Sequence, residues 1–102
     1  MKTATRRLDA ESIKRDLAPC DFYRAELPTM PPPKRFGWAD GGLCPFHNDN
    51  RPGSFRVNLE SGGFKCFACA SSGGDIIKFL MLRDGLEFSE ALKTLAEEWG
   101  LA

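Results

Sequence analysis

Two short motifs constrain the fold of this chain more than any other feature. Two residues separate Cys44 from His47, two separate Cys66 from Cys69, and about eighteen residues lie between the pairs. A two-residue spacing lets a tight turn direct both side chains at one ion, and the longer insert can return the chain as a hairpin. Three Cys and one His are four S and N ligands, which zinc binds tetrahedrally with no position left for water. The pattern predicts one structural Zn²⁺ ion.

The distribution of Cys and His supports this interpretation. The motifs contain the only His and three of the four Cys, and Cys20 is interpreted as an ordinary buried or half-buried thiol. Iron is an alternative ion, but this ligand set favours zinc. A thioredoxin-type redox pair would need a surrounding βαβ pattern, and c-type haem would need His in place of Ala70. Thiolate ligands are typical of a reducing compartment, where cysteines stay reduced, and the polar opening segment does not resemble a signal peptide. We therefore expect a cytoplasmic protein.

Length and charge are typical of one small domain. At 102 residues the core is small, and a structural metal would add its binding free energy to folding. No apolar run approaches the ~20 residues needed to span a membrane. The formal net charge is zero, but residues 1–36 have eight Lys/Arg against five Asp/Glu, and residues 75–102 have three against six. Such a gradient is a weak indication of binding to a polyanion.

The N-terminal part is predicted to contain one helix and an arm. Residues 8–17 predict a helix with Asp9 as N-cap, because Ile13 and Leu17 share one face and Pro19 ends the pattern. Residues 18–42 are rich in Pro and Gly, so we expect an extended or loop region. Its possible contact residues are Lys34, Arg35, Phe36 and Trp38. We therefore divide the chain into an N-terminal helix and arm, residues 1–42, and a metal-binding domain, residues 43–102.

A β-hairpin is predicted between the two ligand pairs. Residues 54–59 alternate between apolar and polar side chains, residues 60–63 favour a turn, and residues 64–67 form the return strand. Because Cys66 must face the metal, its neighbours Lys65 and Phe67 project to the opposite side. In a paired hairpin these two side chains would share one exposed face with Arg56 and Asn58.

Two helices are predicted after the second ligand pair. Asp75 is the expected N-cap of the first, which has an apolar stripe through to Gly85, and Ser89 is the expected cap of the second, which Gly100 stops. The predicted fold class is small α+β: a zinc ribbon, meaning a short antiparallel sheet with a structural zinc, packed by C-terminal helices and preceded by a Pro-rich arm. Acidic side chains of the last helix are interpreted as a solvated face, namely Glu87, Glu90, Glu97 and Glu98.

Roughly residues 43–100 resemble a known family. In order and without large gaps, this region is similar to the N-terminal zinc-binding domain of bacterial DNA primases, and most similar to short stand-alone primase-type zinc-finger proteins of mobile elements. The sequence departs from the family at Gly53, which is additional, and at Ala70, where glycine is common. The motifs that show the resemblance are Cys44-Pro45-Phe46-His47, residues 51–57, Phe64-Lys65-Cys66-Phe67-Ala68-Cys69, residues 73–79 and residues 87–92.

The resemblance implies a function and its residues. Cys44, His47, Cys66 and Cys69 match the family's ligand positions, which implies a zinc ribbon. The family's domain engages single-stranded template DNA and helps choose where primer synthesis starts, using basic and aromatic side chains of its sheet. The candidate DNA-binding residues here are Arg56, Lys65 and Phe67, with Arg51 and Asn58 in addition.

The resemblance also implies that catalysis belongs to a different domain. A full primase continues into a catalytic domain that binds magnesium through Glu and an Asp-x-Asp cluster, and this sequence has no Asp-x-Asp. We therefore expect no catalysis by this chain alone and a partnership with a separate catalytic primase or replicative helicase polypeptide. The alternative is a protein–protein interaction adapter, which zero net charge and the Pro-rich residues 28–33 favour. A transcription factor is less favoured, because no predicted helix combines a basic face with base-reading side chains.

Overall fold

The computed structural model describes residues 9–101, which fold as one sheet and four helices. The four strands of this range are antiparallel and lie in the order β1-β2-β3-β4, so neighbours in sequence are neighbours in space. This confirms the predicted α+β class. No helix within residues 9–101 is long and apolar enough to cross a membrane. The elements are α1 (Ala10–Asp16), α2 (Pro19–Glu26), β1 (Trp38–Asp40), β2 (Phe55–Asn58), β3 (Phe64–Cys66), β4 (Ser72–Gly73), α3 (Ile76–Asp84) and α4 (Phe88–Glu98).

The N-terminal region contains more regular structure than its sequence predicts. Asp9 caps α1 as expected, since its carboxylate accepts the backbone N–H of Ser12 at 2.8 Å; Leu8, where the predicted helix begins, lies outside the described residues. The prediction of an extended or loop region from residue 18 is wrong for α2. Pro19 is the first residue of this helix. Proline suits the first helical position, because its fixed φ is helical and its missing N–H needs no partner there.

The sheet has one buried and one exposed side. Phe55 and Val57 of β2 and Phe64 and Cys66 of β3 are buried, whereas the residues between them are partly or fully exposed. The hairpin and the side to which Cys66 points are therefore as predicted. The turn depends on Gly62, whose φ of 85° lies in the left-handed region that side chains disfavour.

A cluster of aromatic rings joins the helices to the buried side of the sheet. The Phe79 ring of α3 is 5.1–6.4 Å, centroid to centroid, from five other rings. Tyr23 of α2 donates its buried hydroxyl to the Gly62 carbonyl at 2.6 Å, which connects α2 to the hairpin turn. The N-terminal helices thus share one core with the ribbon. The five rings belong to Phe22, Tyr23, Phe46, Phe55 and Phe64.

The C-terminal helices begin and end at identifiable residues. Asp75 caps α3 by accepting the backbone N–H of Lys78 at 2.8 Å, and α3 ends at Gly85, both as predicted. The predicted cap of α4, Ser89, is wrong: Glu87 is the N-cap, and its backbone N–H donates to the Glu90 carboxylate at 2.9 Å. This reciprocal capping box satisfies two helix-end donors, which the hydroxyl at position 89 would not do.

Candidate metal centre and sheet surface

Four potential ligands converge beside the hairpin. Cys44 and His47 lie in the loop between β1 and β2, Cys66 ends β3, and Cys69 lies in the turn that follows. The Cys44 and Cys69 sulfurs are 3.8 Å apart, and His47 Nδ1 is 3.9 Å from the Cys66 sulfur. All four ligand atoms lie within 4.8 Å of one another. The structure therefore brings together the four residues that the sequence predicts.

The geometry of this cluster fits zinc. In a tetrahedral site with Zn–S bonds of ~2.3 Å, two sulfurs are separated by about 3.8 Å, which is the Cys44–Cys69 distance. A donor set of three thiols and one imidazole suits zinc better than calcium or magnesium, which prefer oxygen ligands. With four protein ligands the coordination is complete, so zinc would stabilise the fold here and would have no position for a reacting water.

The surroundings shift the pKa values of two of the cysteines in opposite directions. Burial raises the pKa of Cys44 to about 12, whereas the Ser71 hydroxyl, followed by its backbone N–H, lowers the pKa of Cys69 to about 6. The Ser71 oxygen is 3.3 Å from the Cys69 sulfur. A divalent cation between the sulfurs would favour the thiolate form of each cysteine. The cluster is thus suited to hold a cation.

Asp49 lies next to two of the candidate ligands, Cys44 and His47. Its carboxylate accepts the backbone N–H of Cys44 at 2.8 Å and that of Arg51 at 3.2 Å, and it lies 3.7 Å from His47 Nε2. The Cys44 hydrogen bond is the main reason that the pKa of Asp49 is lowered. The carboxylate thus fixes the backbone of the ligand loop and lies on the Nε2 side of the imidazole, whose Nδ1 is toward the Cys66 sulfur. The sequence does not reveal this role, because an Asp two residues after His has no distinctive pattern.

A groove lies on the exposed side of the sheet. This sheet groove, about 310 Å³ in volume, is lined by Trp38, Arg56, Lys65 and Phe67. Arg56 and Lys65 are directly opposite each other in β2 and β3, and the Lys65 ammonium is 5.4 Å from the Phe67 ring centroid. Both rings are open to solvent, since Phe67 is 70% exposed and Trp38 is 53% exposed. Of the predicted face of two cations, an amide and a ring, the groove contains the two cations and the ring, and the ring of Trp38 adds to them.

The other two candidate DNA-binding residues lie outside this groove. The side-chain oxygen of Asn58 accepts the backbone N–H groups of Glu60 and Ser61, both at 2.9 Å, which accounts for Asn58 as part of the hairpin turn. Arg51 is exposed in the loop before β2 and does not line the sheet groove. Their part in DNA binding stays a prediction. Trp38, which the sequence indicated only as a possible contact residue of the arm, is the residue that the structure adds.

An antiparallel four-stranded sheet with a Cys-His-Cys-Cys cluster beside its central hairpin defines a zinc-ribbon domain. The chain belongs to the CHC2 zinc finger family, which it matches over residues 33–102. It is 40% identical over 98 residues to the DNA primase of Streptomyces coelicolor, covering 93% of this chain and 14% of that protein. It is 48% identical over 65 residues to the DNA primase of Borreliella burgdorferi, covering 64% of this chain and 12% of that protein.

A solved primase structure shows the same fold. The crystal structure of the Aquifex aeolicus primase (zinc-binding and RNA polymerase domains) matches with a TM-score of 0.66 and 31% sequence identity, covering 88% of this chain and 21% of that one. The predicted resemblance to primase zinc-binding domains is confirmed, whereas closeness to proteins of mobile elements stays a prediction. The chain spans about one seventh of the Streptomyces protein and less of the Borreliella protein.

Proposed function

We propose that this chain is a zinc-dependent module that binds single-stranded DNA and supports primer synthesis in DNA replication. It would act in the cytoplasm with a separate catalytic primase or replicative helicase polypeptide. Membership of the CHC2 zinc finger family supports a primase-type role. The observation on which DNA binding rests most is the sheet groove, where Arg56 and Lys65 lie between two exposed rings.

The chemistry of the sheet groove suits single-stranded DNA. Cations pair with phosphates regardless of sequence, and unpaired bases stack on exposed aromatic rings. Within residues 9–101, no ion pair within 4.0 Å occupies Arg56 or Lys65, so both are available to an anion. The groove therefore offers both of the interactions that sequence-tolerant binding requires.

The proposed zinc site and the sheet groove are linked through β3. Cys66, a candidate ligand, lies between Lys65 and Phe67 in the chain. Fixing the Cys66 sulfur on one side of the strand fixes the direction of both neighbours on the other side. Zinc binding by Cys44, His47, Cys66 and Cys69 would therefore preorganise the groove, which is why we propose that DNA binding depends on zinc.

Catalysis is assigned to a partner. Phosphoryl transfer by polymerases needs acidic side chains that hold metal ions on the nucleotide phosphates, and this sequence has no Asp-x-Asp motif. We expect no primer from the purified chain with template, nucleotides and magnesium. Primer synthesis without an added partner would contradict this assignment.

Anisotropy of a labelled oligothymidylate, measured at two salt concentrations, tests the proposal. The wild-type chain should bind, with affinity falling as salt rises, and Lys65→Ala and Phe67→Ala should each weaken binding by roughly fivefold or more. Matched controls are Lys93→Ala and Phe88→Ala, which remove an exposed cation and an exposed ring of α4. Equal affinity of all five proteins would reject the groove. Absence of DNA binding, together with co-purification of a catalytic polypeptide, would favour the adapter function.

A further inference from the structure

We propose that Trp38 is a second base-stacking platform, and that the DNA strand runs along β3 from Phe67 to the Trp38 indole and on into a groove of the proline-rich segment. This inference rests on the proposed DNA-binding function and adds the path of the strand. The two grooves on which it depends both include Trp38 and Arg56 in their walls.

The indole of Trp38 lies across the sheet. Trp38 belongs to β1 and is opposite Asn58 of β2, yet the tip of its ring reaches Gly63, just before β3. A Cβ on Gly63 would lie 3.6 Å from the indole Cη2, which is ordinary van der Waals contact. The tip of the indole therefore lies near the Gly63 backbone, and Trp38 is 53% exposed. Because an aromatic side chain has only two χ angles, it loses little conformational freedom when a base stacks on it.

The spacing of the two rings fits one strand of DNA. Gly63, which lies near the tip of the indole, and Phe67 flank β3 and are four residues apart, or about 13 Å between their backbone positions at ~3.3 Å per residue. This separation is too large to sandwich one base, since stacked rings lie ~3.5 Å apart on each side. It corresponds to about four steps of a stacked strand at 3.4 Å per nucleotide. Lys65 lies midway, with Arg56 beside it, where the phosphates between the two stacked bases would pass.

The second groove continues this path beyond Trp38. It has a volume of about 400 Å³, and its walls include Pro31, Lys34 and Arg35. Among the described residues, Asp40 is the only acidic one in these walls, which also contain the three cations Lys34, Arg35 and Arg56. One Asp40 oxygen already accepts the Gly42 backbone N–H at 2.8 Å. The positive charge favours binding of a phosphate backbone. The pyrrolidine ring of each proline fixes its φ angle, so the segment has few conformations to lose when DNA binds.

Tryptophan fluorescence tests this path directly. The chain has two Trp, and Trp99 packs at 6.4 Å from the Phe22 ring, so Trp99→Phe leaves Trp38 as the only tryptophan, and excitation at the red edge of the indole band avoids emission from Tyr23. Titration of this variant with dT8 should quench its fluorescence in parallel with the anisotropy of the labelled oligonucleotide. Trp38→Ala should weaken dT8 binding roughly fivefold or more, Trp38→Phe should restore part of the affinity, and Phe88→Ala should change nothing.

Two further affinity measurements vary the length of the oligonucleotide and the charge of the proline-rich segment. For dT2 the loss from Trp38→Ala should be at most about twofold, because either ring alone can hold so short a strand. The Lys34→Ala/Arg35→Ala double variant should weaken dT12 more than dT4. If wild type binds dT8 but Trp38 fluorescence and the Trp38→Ala affinity do not change, this path is wrong and the proposed function stands. If wild type does not bind, the proposed function fails as well.

Discussion

Arg56 and Lys65 face each other directly across β2 and β3, on the solvent side of the sheet. Like charges in directly opposed positions destabilise a sheet by about 0.2–1 kcal/mol. Asp40, opposite Arg56 on the other side, offsets part of this repulsion. The chain therefore keeps a pair of cations whose repulsion a bound phosphate would relieve, as expected for a site that binds an anion.

Lys65→Gln should lower the affinity for single-stranded DNA with little change in the stability of the fold. The variant loses the repulsion from Arg56 and also the contact with the Phe67 ring, and these opposite effects of about 0.5 kcal/mol each should nearly cancel. The free energy of unfolding in urea should therefore change little, while affinity for single-stranded DNA falls. Lys93→Gln is the control for the charge alone. A large loss of stability with unchanged DNA affinity would show that Lys65 is structural.

Asp49→Ala should weaken zinc binding without removing a ligand. The substitution takes away the acceptor for the Cys44 backbone N–H and the carboxylate beside the His47 ring. Loss of such a supporting carboxylate typically lowers metal affinity about 10- to 100-fold. Competition with a chromophoric chelator measures the change, with Glu97→Ala as the control. Equal zinc affinity of wild type and Asp49→Ala would contradict this role.

Tyr23→Phe should destabilise the whole domain. It keeps the ring in the aromatic cluster but leaves the buried Gly62 carbonyl without its 2.6 Å partner. An unsatisfied buried acceptor costs about 1–3 kcal/mol, and urea unfolding should show a loss in this range. Unfolding followed by zinc-site absorbance, with cobalt as the probe metal, should shift by the same amount, since α2 and the ribbon share one core. A shift in helix signal alone would mean that α2 unfolds independently.

The sequence predicts the features that depend on local chemistry. The four candidate ligands, the hairpin, the outward direction of Lys65 and Phe67, and the Asp75 cap all follow from spacing and alternation. Long-range packing decides what the sequence could not predict. The α2 helix is stabilised by burying Phe22 and Tyr23 against α3, which no local pattern reveals.

The same limit applies to β1. This strand is three residues long and lies between glycines, so only its pairing with β2 defines it. Without β1, Trp38 cannot be placed on the sheet. The supporting contacts of Asp49 likewise depend on how the ligand loop folds.

Ala70→Gly should stabilise the fold. Ala70 has a φ of 65°, and no other non-glycine residue within residues 9–101 has a positive φ. The left-handed conformation costs a residue with a Cβ roughly 1–2 kcal/mol, which glycine avoids, although glycine also has more freedom in the unfolded chain. We expect a net gain of about 0.5–1 kcal/mol in the free energy of unfolding. The neighbouring Ala68→Gly should give no gain, and an equal gain at both positions would contradict this explanation.

Zinc removal shows whether one ion holds both the fold and the sheet groove, as we propose. Elemental analysis of the purified chain should find one zinc per molecule. Treatment with a strong chelator should abolish the circular dichroism of the folded sheet together with the affinity for single-stranded DNA, and added zinc should restore both. A zinc-free protein that keeps its dichroism spectrum and its DNA affinity would show that neither the fold nor DNA binding depends on the ion.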